Sequence, residues 1–542
     1  MTEKVFVRKA SGLVRDLNAT DCFIANTCMS GPIGLAVAYG VYWALYALPG
    51  GDFLTAVAIG TFLCIWHVTV YALFSAVFPR AGGDYLFLSR SLHPALGFMA
   101  SVNFLFFEVI YFGLVIYWFG QITVYAPLAV LGFTFQDPAY LGAAAWVASP
   151  EGIFILGTVL IIVLGLITTV GTKIMFRIND VLFLGALAGM VVGLGGLAFS
   201  SRADFIARFN LTMNQYTGST NSYQWFIDTA NQLGLGLPSQ FIPAMTVGLI
   251  AVGTSSTCWG FFSSFWAGEV KNASSVKRQL GLMIGPTILN GLLLIVAMYV
   301  LFNTVGYEFL ASVFYVYGYN WGASYPLPVP PYTNFLMAIL YGNPAIQFFV
   351  SVTFMFWPFV IMIPAMMLST RYIFSWSFDR LTPSILARVN PKYHTPVYAT
   401  VVTCVLYWVV LLVVALRQDL IWPVLSASSM YIWVGNVALT SITAIIFPWR
   451  KKDVYEASPI KNLKIGPLPF ITLAGFVALC VCIFNAYLYL AYPSLGLGPM
   501  ENALYIFVGA AIIGLAMYYI AVQYRKSHGI PVELAFKEIP PA

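Results

Sequence analysis

The sequence predicts an all-α polytopic membrane protein of twelve spans, two inverted halves of five spans each followed by two further helices. Three observations predict it. Apolar runs of the roughly 20 residues needed to cross a bilayer recur twelve times. Lys and Arg collect on alternate connections, and the first span of each half carries a stretch that resists helix formation.

The spans run near 19–47, 53–78, 95–125, 152–171, 175–199, 242–268, 280–304, 345–376, 397–416, 421–448, 467–491 and 502–523. They divide the chain into an N-terminal segment 1–18, a first repeat 19–199, an outer connection 200–241, an inverted second repeat 242–449, two extra spans within 450–524 and a tail 525–542. Of the 542 residues 60% are hydrophobic and 8% charged, far below the roughly one quarter charged in soluble domains. The bilayer is therefore the chain's environment, and the net charge of +6 reports topology, not a nucleic-acid partner. Seven cysteines, all inside apolar spans, have neither disulfide nor metal spacing, so no metal or other cofactor is expected. Lys4, Arg8, Lys9 and Arg15 precede the first span without a small-residue cleavage site, which argues against a removable signal peptide.

Charge placement sets the orientation. Arg80 and Arg90; Lys173 and Arg177; Lys271, Lys277 and Arg278; Arg371, Arg380, Arg388 and Lys392; Arg450, Lys451, Lys452, Lys461 and Lys464; and Arg525, Lys526 and Lys537 all fall on the side of the N-terminus. Only Arg202, Arg208 and Arg417 fall on the other. The positive-inside rule then makes both termini cytoplasmic in a multi-pass protein of the cell membrane. The outer connections near 200–241 and 305–344 are too short for separate cores and are expected to hold short interfacial helices. The sequon Asn210-Leu211-Thr212 lies on the outer side and is a pattern common by chance.

The first resistant stretch runs from Asn26 to Gly34 and includes Ser30-Gly31-Pro32-Ile33-Gly34; the second runs from Gly253 to Gly260. Pro lacks the N–H and Gly disfavours helix, so peptide groups at membrane depth lose their partners there and are free for a ligand. Broken spans in corresponding places of two halves point to the binding site of a secondary transporter.

After the second span the chain reads Phe78-Pro79-Arg80-Ala81-Gly82-Gly83-Asp84-Tyr85, then Ser89-Arg90 and His93-Pro94-Ala95-Leu96-Gly97-Phe98. The sixth span ends in Gly268-Glu269-Val270-Lys271-Asn272, and the eighth leaves through Ser369-Thr370-Arg371, Asp379 to Pro383 and Val389-Asn390-Pro391 with Thr395-Pro396. Together with Ser11-Gly12-Leu13-Val14-Arg15 before the first span, these resemble the signatures of the amino acid, polyamine and organocation (APC) permeases. The resemblance implies a leucine-transporter-type fold with discontinuous helices 1 and 6, and uptake of amino acids or related amines.

On that reading, the carboxylate of an amino acid sits on N–H groups near Ser30, Gly31, Ile33 and Gly34, with Met29 in the same turn and Pro32 withholding one donor. The ammonium faces carbonyls near Thr27 and along Gly253, Thr254, Ser255 and Ser256. Trp259 covers the substrate, and Phe261 and Phe262 are gate candidates. Among the twenty acids, Glu108 alone is expected in the middle of a span, which makes it a proton carrier or a counter-charge for a cationic substrate. His67 lies at similar expected depth on an oppositely directed span, and the two are candidates for a proton-coupling pair. Glu269 and Asp180, near helix ends, are inner-gate candidates with Arg or Lys partners. Sodium-driven relatives usually place hydroxyls in span 8, and Phe354 to Met367 has none; some proton-driven relatives place a Lys in span 5, and Val181 to Phe199 has none. Symport with H+ through Glu108, symport with Na+ bound by carbonyls, and antiport without an ion all stay open.

Other classes compete. A polyamine or nucleobase transporter and a non-transporting sensor with a permease fold remain alternatives. A membrane enzyme or electron-transfer subunit is disfavoured, because only His67 of the four histidines lies within a span. A channel is disfavoured by the lack of a repeated acid ring or filter sequence.

Overall fold

The computed structural model describes residues 11–30, 41–417, 431–495 and 500–537. In chain order its helices are α1 Ala19–Ser30, α2 Tyr42–Ala47, α3 Phe53–Val77, α4 Gly83–Ser91, α5 Pro94–Trp118, α6 Tyr125–Phe135, α7 Pro138–Val147, α8 Pro150–Thr169 and α9 Thr172–Ala198. There follow α10 Arg202–Thr217, α11 Ser222–Gln232, α12 Pro243–Thr257, α13 Val276–Leu301, α14 Tyr307–Gly318, α15 Thr333–Ala338, α16 Pro344–Thr353, α17 Phe356–Phe378 and α18 Val397–Leu416. The last four are α19 Ala438–Arg450, α20 Lys452–Glu456, α21 Phe470–Ala491 and α22 Met500–Ser527. One two-stranded hairpin pairs Lys464 with Pro469 and Ile465 with Leu468.

Among the described residues nine helical stretches are long and apolar enough to cross a membrane. The other three expected spans differ for identifiable reasons. Those at 19–47 and 421–448 run into residues 31–40 and 418–430, which lie outside the described residues. That at 242–268 contains α12, which is only 15 residues long and is followed by short 3-10 turns at Phe262–Phe265 and Ala267–Glu269.

Several helix boundaries follow from local chemistry. Asp52 caps α3 by accepting from the N–H groups of Leu54 and Thr55, and Ser201 with Asp204 forms a reciprocal capping box at α10. The third span continues beyond the expected residue 125, through a π turn at Phe119–Val124 into α6. Pro127 lies just beyond that turn, and a proline ring displaces the carbonyl four residues earlier, which widens the preceding turn. The seventh span likewise continues past residue 304. At Phe302–Gly306 it passes through a π turn, and Gly306 (φ +100°) redirects the chain into α14; a Cβ there would lie 2.5 Å from the Tyr223 hydroxyl. The connections near 200–241 and 305–344 hold short helices, α10 and α11 in the first and α14 and α15 in the second.

Helix α3 packs extensively against both α12 and α13. Close approach requires glycine on both faces of the first contact. A Cβ on Gly60 would lie 2.6 Å from the Gly253 carbonyl carbon, and one on Gly253 would lie 2.6 Å from the Ala56 oxygen. Small residues of this kind let backbones touch where lipid offers no hydrophobic drive for association.

Candidate functional site

The ends of α1 and α12 are brought together by one side chain. Asn26, fully buried on α1, donates to the Ser263 hydroxyl (2.9 Å) and the Leu282 carbonyl (2.7 Å), and accepts from the Ser263 N–H at 2.8 Å. Ser263 belongs to the 3-10 turn that follows α12, so α1 is tied to the segment in which the second half's first span stops being α-helical. Closer to the chain start the same two segments pair again. Leu17 donates its N–H to the Glu269 carbonyl at 3.0 Å and accepts from the Lys271 N–H at 2.9 Å.

The predicted substrate residues divide between the two segments. Thr27 and Met29 are buried on α1, and the Thr27 carbonyl accepts from Asn290 Nδ2 of α13 at 3.1 Å. Ser30 is the last residue of α1. Gly31, Pro32, Ile33 and Gly34 lie outside the described residues. In the second segment Gly253, Thr254, Ser255 and Ser256 are still α-helical, and α12 ends only at Thr257. Gly253 is there because its neighbour α3 touches it, as shown above. The Thr254 carbonyl is occupied by the Cys258 N–H and Cys64 Sγ, and that of Ser255 by the Trp259 indole N–H at 2.8 Å. The carbonyls of Ser256 and Thr257, in the last turn, have no donor among the described residues.

Beyond α12 the chain is lined with rings. Trp259 stacks on Phe107 (5.8 Å) and Tyr111 (6.3 Å) of α5, Phe265 stacks on Phe104 (5.6 Å), and Phe261 and Phe262 pack within 6.4 Å of Phe104. Trp259 is partly exposed while Phe261 and Phe262 are buried.

Glu108 is 1% exposed on α5, and neither of its carboxyl oxygens has a hydrogen-bond partner among the described residues. It lies within electrostatic reach of the Tyr111, Tyr372 and Tyr407 hydroxyls. His67 is fully buried on α3 and is not bonded to Glu108. Its Nε2 lies 2.8 Å from the Cys258 carbonyl, just past the end of α12, and its ring sits edge-on to Phe261 at 5.8 Å.

Glu269 forms a buried bidentate ion pair with Arg371 of α17, Nε to Oε1 at 2.6 Å and Nη2 to Oε2 at 2.8 Å, and also accepts from the Thr172 hydroxyl at 2.8 Å. Both side chains are 1% exposed. Asp180 of α9 is only half-buried, and no Arg or Lys pairs with it among the described residues; its Oδ1 has no hydrogen-bond partner.

Sequence reasoning missed three features. Asn26 and Asn290 are polar side chains within apolar spans, a signal that was legible had it been sought. Arg90 and Arg371, counted among loop charges, are buried, because each is neutralised by a carboxylate distant in sequence, Asp379 and Glu269 respectively. Asp84 of α4, in the connection between two spans, is fully buried and accepts from the Tyr372 hydroxyl, from Asn436 Nδ2 (2.7 Å) and from the Tyr71 hydroxyl (3.3 Å), joining α3, α4, α17 and the segment before α19. Burial pushes its carboxyl up to about 6, and the three donors oppose that rise.

The chain is thus a multi-pass helical membrane protein in which α1 and the turn after α12 meet at a shared buried polar contact. A profile of amino acid permeases matches residues 20–522, and the chain belongs to that family, within the APC superfamily. No curated protein matches the chain.

Proposed function

We propose that the protein is a secondary active transporter that moves an amino acid or related amine across the cell membrane by alternating access. It has twelve spans in a leucine-transporter-type five-plus-five inverted repeat, with cytoplasmic termini. The observation that carries this reading is the Asn26–Ser263 junction, which couples the two interrupted spans at buried depth. Such paired interruptions offer N–H groups to an anionic end and carbonyls to a cationic one.

The substrate carboxylate takes N–H groups among Ser30, Gly31, Ile33 and Gly34. Its ammonium takes the carbonyls of Ser256 and Thr257, which have no donor among the described residues, in preference to those of Thr254 and Ser255, which have one. Trp259 and its stacked partners on α5 cover the apolar part. Glu108, whose two carboxyl oxygens have no hydrogen-bond partner among the described residues, carries the coupling proton. Glu269 and Arg371 hold the cytoplasmic gate shut.

Purified protein in liposomes is expected to accumulate at least one labelled compound from a panel of amino acids, polyamines and nucleobases. Silence across that panel, with protein that is folded and correctly inserted, favours a sensor with a permease fold.

A further inference from the structure

Three distant parts of the chain converge at the end of the bundle that carries Arg371 and Arg380. Helix α4, the end of α19 and the turn Val532–Phe536 after α22 enclose a cavity of about 470 Å³. Among the described residues its charged walls are Arg90, Arg450, Lys451 and Lys537, with Glu533 as the single carboxylate.

Arg90 lies almost fully buried. Asp379 takes two of its N–H groups at 2.7 Å each, the Ala535 carbonyl takes a further contact at 3.3 Å, and the Phe536 ring lies 4.9 Å from the guanidinium carbon. Its Nε has no acceptor among the described residues. Arg450 is oriented at the rim by donating to the Leu92 carbonyl at 2.8 Å. Arg450, Lys451 and Lys537 have no ion-pair partner among the described residues, so the described walls of the cavity carry an excess of positive charge. The neighbouring Trp449 is 63% exposed, an aromatic of the kind that marks the headgroup level of a bilayer.

We propose that this cavity binds a phosphate-bearing anion, held by Arg450, Lys451 and Lys537 above the buried Arg90, and that the bound anion fastens the C-terminal tail to the bundle. Phosphate suits the site because it accepts several charge-assisted hydrogen bonds at once from a clustered set of cations. Two sources have this chemistry, the headgroup of an anionic phospholipid in the adjoining leaflet and free phosphate. Arg525, which donates to the Arg380 and Thr382 carbonyls at 2.7 and 2.8 Å, is part of the same tail attachment.

The test uses full-length protein in nanodiscs of phosphatidylcholine alone, phosphatidylcholine mixed with phosphatidylglycerol, or phosphatidylcholine with inorganic phosphate at constant ionic strength. The readouts are melting temperature and the rate of tryptic cleavage at Arg525 and Lys526, neither of which depends on transport. One of the two anions is expected to raise the melting temperature and slow cleavage, and which one does so identifies the source. The pair Arg450→Gln/Lys451→Gln and the single variant Lys537→Gln are expected to weaken the response by roughly fivefold for each cation removed. Glu533→Gln removes the opposing charge and is expected to strengthen it. Lys461→Gln/Lys464→Gln, one in the exposed turn just before the hairpin and one at its start, is expected to leave it unchanged. Absence of any anion response in the unmodified protein overturns the proposal. So does an equal loss of response in the hairpin pair, which would report general surface attraction.

Discussion

The Glu269–Arg371 pair gives the sharpest test of the gate. Replacing Glu269 by Gln keeps the shape but leaves the Arg371 guanidinium buried without its counter-charge, at 1% exposure and with the Thr172 hydroxyl as a remaining neighbour. Removing one partner of a buried ion pair costs about 3–5 kcal/mol. If opening this end hydrates the orphaned guanidinium, the cost falls on the closed arrangement alone. At about 1.4 kcal/mol per factor of ten, the open population then rises by two to three orders of magnitude. Cys22 is a native reporter: it is fully buried on α1, and Leu17, just before that helix, pairs with the Glu269 backbone. The assay is the rate at which a hydrophilic maleimide modifies Cys22, followed by peptide mass spectrometry, with Cys22→Ser as the background. Glu269→Gln is expected to accelerate labelling at least about a hundredfold. Glu269→Gln/Arg371→Gln, which removes the orphaned charge, is expected to return much of the way to the unmodified rate. A fall in melting temperature with unchanged Cys22 labelling would refute the reasoning, because the pair would then be a structural staple and not a gate.

Four further outcomes are expected. Glu108→Gln abolishes the pH dependence of uptake while leaving substrate exchange partly intact; uptake whose pH profile is unaltered removes Glu108 from coupling. Asn26→Ala leaves the Ser263 N–H and the Leu282 carbonyl without their partner and lowers stability by about 2–4 kcal/mol in thermal denaturation. Gly253→Ala forces a methyl to 2.6 Å from the Ala56 oxygen and costs about 1–3 kcal/mol, a cost that Gly60→Ala shares at the same contact and with which it combines non-additively. The Asp84 carboxyl, at about 6 in the folded protein, lies above the usual aspartate value near 4. Its contribution to stability is therefore full below about pH 4 and is lost as pH rises through about 6, so Asp84→Asn is expected to flatten the melting-temperature profile across that window.

Much of the architecture was readable because it depends on local properties of the chain. Span length and hydropathy are fixed by the bilayer, and the nine helical stretches follow runs the sequence marks. The misplaced span ends share one cause. At Phe119–Val124 and Phe302–Gly306 the helix changes its winding and continues, instead of stopping where hydropathy falls. The second interruption was located to within a few residues, yet its glycine has a different job from the one expected. Gly253 belongs to a helix and serves contact with α3, and the unwound chain begins after Thr257.

The sequence by itself determined the class of the protein, the approximate position of the second interruption and the mid-span placement of Glu108, because each is a property of composition and short-range pattern. Only the tertiary structure decided which groups meet. Asn26 finds Ser263 across 237 positions, Glu269 finds Arg371 across 102, and Arg90 finds Asp379 across 289. A buried charge or amide must be paired wherever the fold brings a partner, and no local pattern records which distant residue that will be. For the same reason His67 and Glu108, similar in expected depth, have different surroundings, one bonded beside the end of α12 and the other without a hydrogen-bond partner among the described residues.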